Sequence, residues 1–139
     1  ADSQHLAAEL IGKFYFNRHS LPAISLTVNT SIITAIGNDF GFDKAFARQL
    51  EGIGKAGDVL IGLSTSGNSE NVVEAFRLAK ELGISTVAFT GESGGILRNL
   101  ADILINVPSN DTPRIQEAHI MVGHIICELV EKEFLINGR

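Results

Sequence analysis

Apolar and polar positions follow two different periods along this chain. Continuously apolar runs are typical of strands buried on both faces of a sheet, and they recur between segments with the three- and four-residue spacing of helices. The predicted strands are 23–27, 58–63, 85–90 and 102–107. The predicted helices are 1–14, 30–36, 43–50, 70–82, 96–100 and 112–134. This alternation predicts an α/β fold with a parallel sheet covered by helices on both faces.

The segment from Ser64 to Ser69 follows an apolar strand and precedes a helix, and it carries four hydroxyl groups and a glycine. Backbone N–H groups at a helix start lack partners, the helix dipole favours negative charge, and hydroxyls add donors. The alternative is a helix cap within an ordinary polar loop, because Ser and Asn are preferred caps. Four hydroxyls in six residues favour a phosphate site at the carboxyl end of the strand.

Two predicted helices each carry polar residues at helical spacing. His5 and Glu9 are four residues apart, and Gln116 and His124 share one row through Ile120. Each set has a plain structural explanation, as a surface pair or as a histidine satisfied within the core. If the two helices meet, the set could bind a metal such as zinc, or supply a carboxylate base and a histidine acid. Spacing does not decide between these alternatives.

Composition limits the remaining classes of function. The chain has 139 residues and a net charge of −5 without a basic block, which indicates one domain and argues against nucleic-acid binding. No apolar segment is long enough to span a membrane. The single cysteine, Cys127, lies in an apolar run, which indicates a buried structural thiol and fits a reducing, cytoplasmic location. The chain begins inside a predicted helix without Met, so we expect sequence upstream of Ala1.

Several motifs together resemble the heptose phosphate isomerases of the sugar isomerase (SIS) domain family. The motifs are the segments 1–10, 21–24, 26–39, 57–69 and 111–119, followed by His124. The serine-rich segment alone is common to SIS domains, whereas the combination is specific to this isomerase group. The resemblance implies a three-layer sandwich with a flavodoxin-like, mainly parallel sheet of five strands. It also implies a homotetramer with active sites at subunit interfaces.

The resemblance further implies the roles of individual residues. The phosphate would be held by Ser64, Thr65, Ser66 and Ser69. Glu9 and His124 would be the acid and base of catalysis. One zinc ion per subunit would be bound by His5, Glu9, Gln116 and His124. Sugar contacts would come from Lys13, Asn38, Asp39 and Gln116.

The implied reaction converts sedoheptulose 7-phosphate to the corresponding aldose through an enediol, at the start of lipopolysaccharide heptose synthesis. The alternatives are a non-catalytic SIS protein that binds a protein partner at replication initiation, or an isomerase for another sugar phosphate. The presence of Glu9, Gln116 and His124 favours an enzyme. Lys13 stands where an arginine is common in this family, and Asn29 stands where an acidic residue is common. Both differences bear on the expected substrate preference.

Overall fold

The computed structural model describes residues 1–136 as an α/β domain. In chain order the elements are α1 (Asp2–Ile11), α2 (Thr30–Asp39), a 3₁₀ turn (Phe42–Lys44), α3 (Ala47–Ile53), β1 (Val59–Leu63), α4 (Glu70–Leu82), β2 (Ser85–Thr90), a second 3₁₀ turn (Ile96–Asn99), β3 (Ile103–Asn106) and α5 (Thr112–Ile136). The predicted α/β class with a parallel sheet is confirmed.

The sheet has the order β1-β2-β3, and both pairs are parallel. Ala88 of β2 belongs to the core with Val73 and Phe76 of α4, while the neighbouring Phe89 contacts the ring of His119 on α5. Successive strand residues point to opposite faces. The helices α4 and α5 therefore cover opposite faces of the sheet, as in a three-layer sandwich.

The described residues contribute three strands to the sheet, whereas five were expected. The predicted strand 23–27 is irregular. A strand needs a neighbour that pairs with its backbone, and in residues 1–136 no ladder includes this segment. Its polar side chains bond to α1 instead, with Ser25 Oγ 2.9 Å and Thr27 Oγ1 3.3 Å from Ser3 Oγ.

Helix boundaries follow the local signals at some ends and depart from them at others. Asn29 caps α2 by accepting a hydrogen bond from the Ile32 N–H, and Gly83 ends α4 with a φ of 70°, as predicted. The predicted helix 43–50 is divided into a 3₁₀ turn and α3. The predicted helix 1–14 ends at Ile11, because the backbone N–H of Phe14 is donated to the Glu131 side chain on α5.

The crossing of α1 and α5 is close because one of its residues is a glycine. A Cβ at Gly123 would lie 2.6 Å from Leu6 Cδ2, and Leu6 is the buried residue of α1. Gly123 directly precedes His124, and Leu6 directly follows His5. The same contact therefore sets the separation of the two histidines. None of the helices in residues 1–136 has the length and apolar character needed to cross a membrane.

We predict that Gly123→Ala destabilises the domain by about 0.5–2 kcal/mol in total, because the collision with buried Leu6 costs about 1–3 kcal/mol and helix propensity offsets about 0.5–1 kcal/mol of it. The matched control is Gly52→Ala in α3, where a Cβ would meet nothing within 4 Å. The control should gain about 0.5–1 kcal/mol from helix propensity. Urea unfolding of both variants measures the difference, and equal stabilities would contradict a close crossing.

Candidate active site

The serine-rich loop lies between β1 and α4, and two of its hydroxyl groups point toward each other. Ser64 is buried, and its Oγ lies 2.8 Å from Ser69 Oγ. Ser69 occupies the N-cap position of α4 but makes no side-chain capping hydrogen bond to the helix. Its hydroxyl therefore faces the loop interior instead of the helix backbone, which distinguishes this loop from an ordinary cap.

A second loop fixes the conformation of the serine-rich loop. Gly67 has a φ of 67°, and a Cβ there would lie 2.0 Å from the carbonyl oxygen of Gly94. The carbonyl of Gly67 also accepts a hydrogen bond from the Leu97 N–H at 3.1 Å. Only glycine combines this φ with such a close backbone approach. The loop is thus held against 91–97 before any ligand is bound.

A cavity of about 230 Å³ opens beside this loop. Its lining residues come from the loop, the end of β1, α1 and α5: Asp2, Leu63, Ser64, Thr65, Ser69, Gln116 and His119. The Nε2 of buried His119 lies 3.0 Å from the carbonyl oxygen of Thr90. A carbonyl oxygen only accepts, so this Nε2 carries the hydrogen. Hydroxyls, an amide and the start of α4 give the cavity the donors that an anion needs.

The helices α1 and α5 bring three ligand-type side chains together. His5 Nε2 lies 3.1 Å from Glu9 Oε1 and 3.1 Å from His124 Nε2. One ligand atom from each residue lies within 4.8 Å of the other two. The ring of Phe14 contacts His124, with centroids 5.7 Å apart. Helical spacing predicted each pair of positions, and the crossing at Gly123 brings the two helices into contact.

The hydrogen-bonding needs of the three side chains are not all met within the cluster. His5 Nε2 faces both a carboxylate oxygen, which only accepts, and another imidazole nitrogen. A single hydrogen on His5 can serve these two partners only as a shared, bent hydrogen bond. A cation would satisfy all three atoms at once. Two imidazoles with one carboxylate are also the protein ligands of one common type of catalytic zinc site.

Cys127 lies one turn beyond His124 and is buried. Burial raises the pKa of its thiol, and the negative charge of Glu9 raises it further. A thiol with a raised pKa stays protonated near neutral pH and is a poor nucleophile. Cys127 is a structural residue of the α1–α5 interface, in agreement with the prediction from its apolar surroundings.

Four other predicted site residues lie outside the cavity lining, and a fifth, Gln116, is part of it. Ser66 is exposed, and its Oγ accepts a hydrogen bond from the Asn68 N–H at 3.1 Å. Asn38 and Asp39 end α2 and bond to each other, with Nδ2 and Oδ1 2.8 Å apart. Lys13 is exposed in the loop after α1. Gln116 lines the cavity, two turns before His124 on α5.

Three lining residues, Asp2, Leu63 and His119, were not predicted as site residues. Asp2 lies three residues before His5, so the helical spacing that paired His5 with Glu9 also indicated Asp2. His119 lies three residues after Gln116 on α5. Its position against Thr90 depends on the packing of α5 on β2, which no local pattern indicates.

Comparison with known proteins agrees with the fold and identifies the class of protein. The sequence profile of the SIS domain family matches residues 1–91, which include α1, the serine-rich loop and β2. The matched region thus holds both the loop beside the cavity and the helix that carries His5 and Glu9. These features define a SIS domain.

Whole-chain relatives identify the group within that class. The chain is 56% identical to the phosphoheptose isomerase of Sulfurimonas denitrificans, covering 99% of this chain and 71% of the relative. It is 61% identical to the phosphoheptose isomerase of Clostridium acetobutylicum, covering 96% of this chain and 68% of the relative. A solved phosphoheptose isomerase from Neisseria gonorrhoeae superposes with a TM-score of 0.89 at 46% identity, covering 94% of this chain and 70% of that one. The chain belongs to the phosphoheptose isomerase family of SIS-domain proteins.

We predict that Gly67→Ala abolishes binding of inorganic phosphate, because the added methyl group would displace the 91–97 loop. Gly57→Ala is the matched control, since Gly57 also has a positive φ but open space around its Cβ. Both variants should lose about 1–3 kcal/mol through backbone strain. Calorimetric titration with phosphate separates them, and equal affinities would show that the loop contact does not shape the site.

Proposed function

We propose that this chain is the SIS domain of an aldose–ketose isomerase that converts sedoheptulose 7-phosphate to glycero-manno-heptose 7-phosphate. The observation that supports this most is the neighbouring placement of two groups on α1 and α5. Asp2 and Gln116 line the cavity beside the serine-rich loop, and His5, Glu9 and His124 meet further along the same helices. An isomerase of a phosphorylated sugar needs both an anion site and a proton-transfer site.

The loop would hold the substrate phosphate. Ser64, Thr65 and Ser69 line the cavity at the start of α4, where helix N–H groups and the helix dipole favour an anion. Ser66 would reach the phosphate by a change of side-chain rotamer, since it is exposed beside the cavity. Holding the phosphate fixes one end of a flexible chain and so orients the carbonyl end.

Glu9 would act as the base. Its Oε1 faces His5, so Oε2 is available to remove the proton from C1 of the ketose. The resulting enediol receives that proton at C2, and a proton moves between the two oxygens to leave an aldehyde at C1. His124 would move this second proton, because an imidazole gives and accepts protons near neutral pH.

The three-residue cluster also fits a zinc ion, and Gln116 would complete the predicted set of ligands. The three ligand atoms lie within 4.8 Å of one another, which is close enough for His5, Glu9 and His124 to hold one zinc ion together. A bound zinc ion would supply Lewis-acid stabilisation of the developing oxygen charge. Because His124 Nε2 has one lone pair, it binds either the ion or a proton at a given moment.

Self-association is the further part of the proposal. Met121, Ile125 and Leu129 form an exposed apolar row on α5, with relative exposures of 58%, 48% and 58%. Such a row suits contact with a second copy in a homotetramer. The exposed Lys13, Asn38 and Asp39 would then contact sugar hydroxyls in sites completed at subunit interfaces. A cytoplasmic location stays a prediction from the single cysteine.

We predict that Glu9→Gln lowers kcat by about 10²–10⁴-fold, because the amide cannot accept the C1 proton. The matched control is Glu128→Gln, which removes a carboxylate paired with Lys132 within α5. Nuclear magnetic resonance of aldose formation from sedoheptulose 7-phosphate, with the protein in its full natural length, measures both variants. Full activity in the Glu9 variant would show that another group is the base. Phosphate binding without any turnover by the unmodified protein would favour a regulatory SIS domain or another sugar.

We predict that His124→Asn weakens zinc binding at least about tenfold, since one of the three converging ligands loses its imidazole. His19→Asn is the control, because His19 is exposed in the loop after α1. Competition with a coloured chelator measures the zinc affinities. Equal affinities in the two variants would remove zinc from the proposal and leave His124 as an acid and base alone.

A further inference from the structure

A buried ion pair lies beside the His5–Glu9–His124 cluster and has no part in the proposed proton transfers. Arg18 Nε donates to Glu131 Oε1 at 2.9 Å, and the two side chains are 1% and 0% exposed. Arg18 belongs to the loop after α1, and Glu131 belongs to α5. A buried ion pair gives weak evidence for stability, so its other contacts indicate its role.

The side chain of Glu131 binds the backbone of the loop after α1. The N–H groups of Phe14, Tyr15 and Phe16 donate to its two carboxylate oxygens at 3.0, 2.7 and 3.1 Å. Burial raises the pKa of Glu131, but these donors and Arg18 outweigh it and keep the pKa below its usual range. The charged carboxylate is therefore fully satisfied, and the loop that leads to Arg18 has one defined course.

Arg18 in turn holds the end of the helix that carries the cluster. Its Nη2 donates to the carbonyl oxygen of Glu9 at 3.0 Å, and its Nη1 donates to that of Leu10 at 2.9 Å. The last four carbonyls of a helix lack partners within the helix, and a positive charge there is favourable. The last turn of α1 contains no basic residue of its own. Arg18 supplies that charge from outside the helix.

The same face of α5 thus connects to α1 at two positions along the helix, His124 and Glu131. Glu131 lies seven residues, or two turns, after His124 and projects from the same side. At one position His124 meets His5 directly. At the other, Glu131 reaches the backbone of Glu9 through Arg18. Glu9 is therefore fixed both at its side chain, by His5, and at its carbonyl group.

We propose that Arg18 and Glu131 are positioning residues, which fix the end of α1 so that Glu9 stays opposite His124 at the distance that the metal and the substrate require. This inference rests on the proposed function of the cluster. Neither residue contacts the cavity lining, and their effect on the reaction passes through Glu9. Loss of the Arg18–Glu131 pair should therefore change the zinc affinity and the rate of the chemical step, and it should leave phosphate binding unchanged.

The test is Arg18→Lys in the protein of full natural length. The lysine keeps the positive charge near Glu131, but a single ammonium cannot reproduce the planar fork that joins Glu131 to the Glu9 and Leu10 carbonyls. We expect zinc affinity to fall about 10–100-fold, as for other groups that orient metal ligands, and kcat to fall about tenfold. Affinity for inorganic phosphate should change less than about twofold.

The control is Arg48→Lys, since Arg48 donates to Glu51 at 2.8 Å within the exposed surface of α3. It should match the unmodified protein in zinc affinity, kcat and phosphate affinity. Unchanged zinc affinity and kcat in the Arg18 variant would overturn the inference. An equal loss of phosphate binding would also overturn it, because the pair would then support the fold generally.

Hydrogen exchange of the metal-free protein separates this inference from the proposed activity. In the Arg18 variant, amides of α1 should exchange at least about tenfold faster, while those of α4 keep their rates. If the unmodified protein binds zinc without isomerising the sugar, the proposed function fails and the zinc and exchange results still decide the role of the pair. Unchanged hydrogen-exchange rates in α1 of the Arg18 variant would contradict the positioning role of the pair.

Discussion

The close contact between Leu6 and Gly123 determines how the rest of the site is arranged. Each residue is next to a histidine, so the approach of the two helix backbones places His5 and His124 within hydrogen-bonding distance. A larger residue at position 123 would have to displace the buried Leu6 side chain or α1 itself. Because α5 also packs on β2 through His119, the crossing ties this cluster to the edge of the sheet where β1 leads into the serine-rich loop. The site therefore depends on helix packing as much as on its polar residues.

The anion site depends on a different constraint, which is the backbone of the two loops that follow β1 and β2. Gly67 passes so close to the Gly94 carbonyl that neither loop can shift without the other. The hydroxyls of Ser64 and Ser69 are then turned toward each other and toward the cavity, although Ser69 is placed where a cap would be expected. A preformed loop of this kind would lose little conformational freedom on binding an anion, so we expect the glycine to contribute to affinity as well as the serines.

The sequence predicted those parts of the molecule that depend on local spacing and capping. The four-residue spacing of His5 and Glu9, the loop from Ser64 to Ser69 and the end of α4 at Gly83 are of this kind. The features it could not predict depend on residues distant along the chain. Helix α1 ends early because Glu131 takes the Phe14 N–H, and residues 23–27 bond to Ser3 because no strand pairs with them. For the same reason the sequence did not predict the Arg18–Glu131 pair, because two charged residues 113 positions apart produce no periodic pattern.

The two halves of the site are separated by a distance that bears on the choice of substrate. On α5, Gln116 both lines the cavity and completes the proposed ligand set with His124, so this helix joins the two halves of the site. Asp2 and Glu9 are seven residues apart on the facing helix, which corresponds to about 10 Å. If the phosphate lies beside Ser64, as proposed, the sugar has to extend along α1 and α5 before its carbonyl end reaches Glu9. A seven-carbon sugar phosphorylated at the end far from its carbonyl group is longer than a three-carbon sugar phosphate, and it is the better match to a phosphate site and a base placed this far apart along the helices.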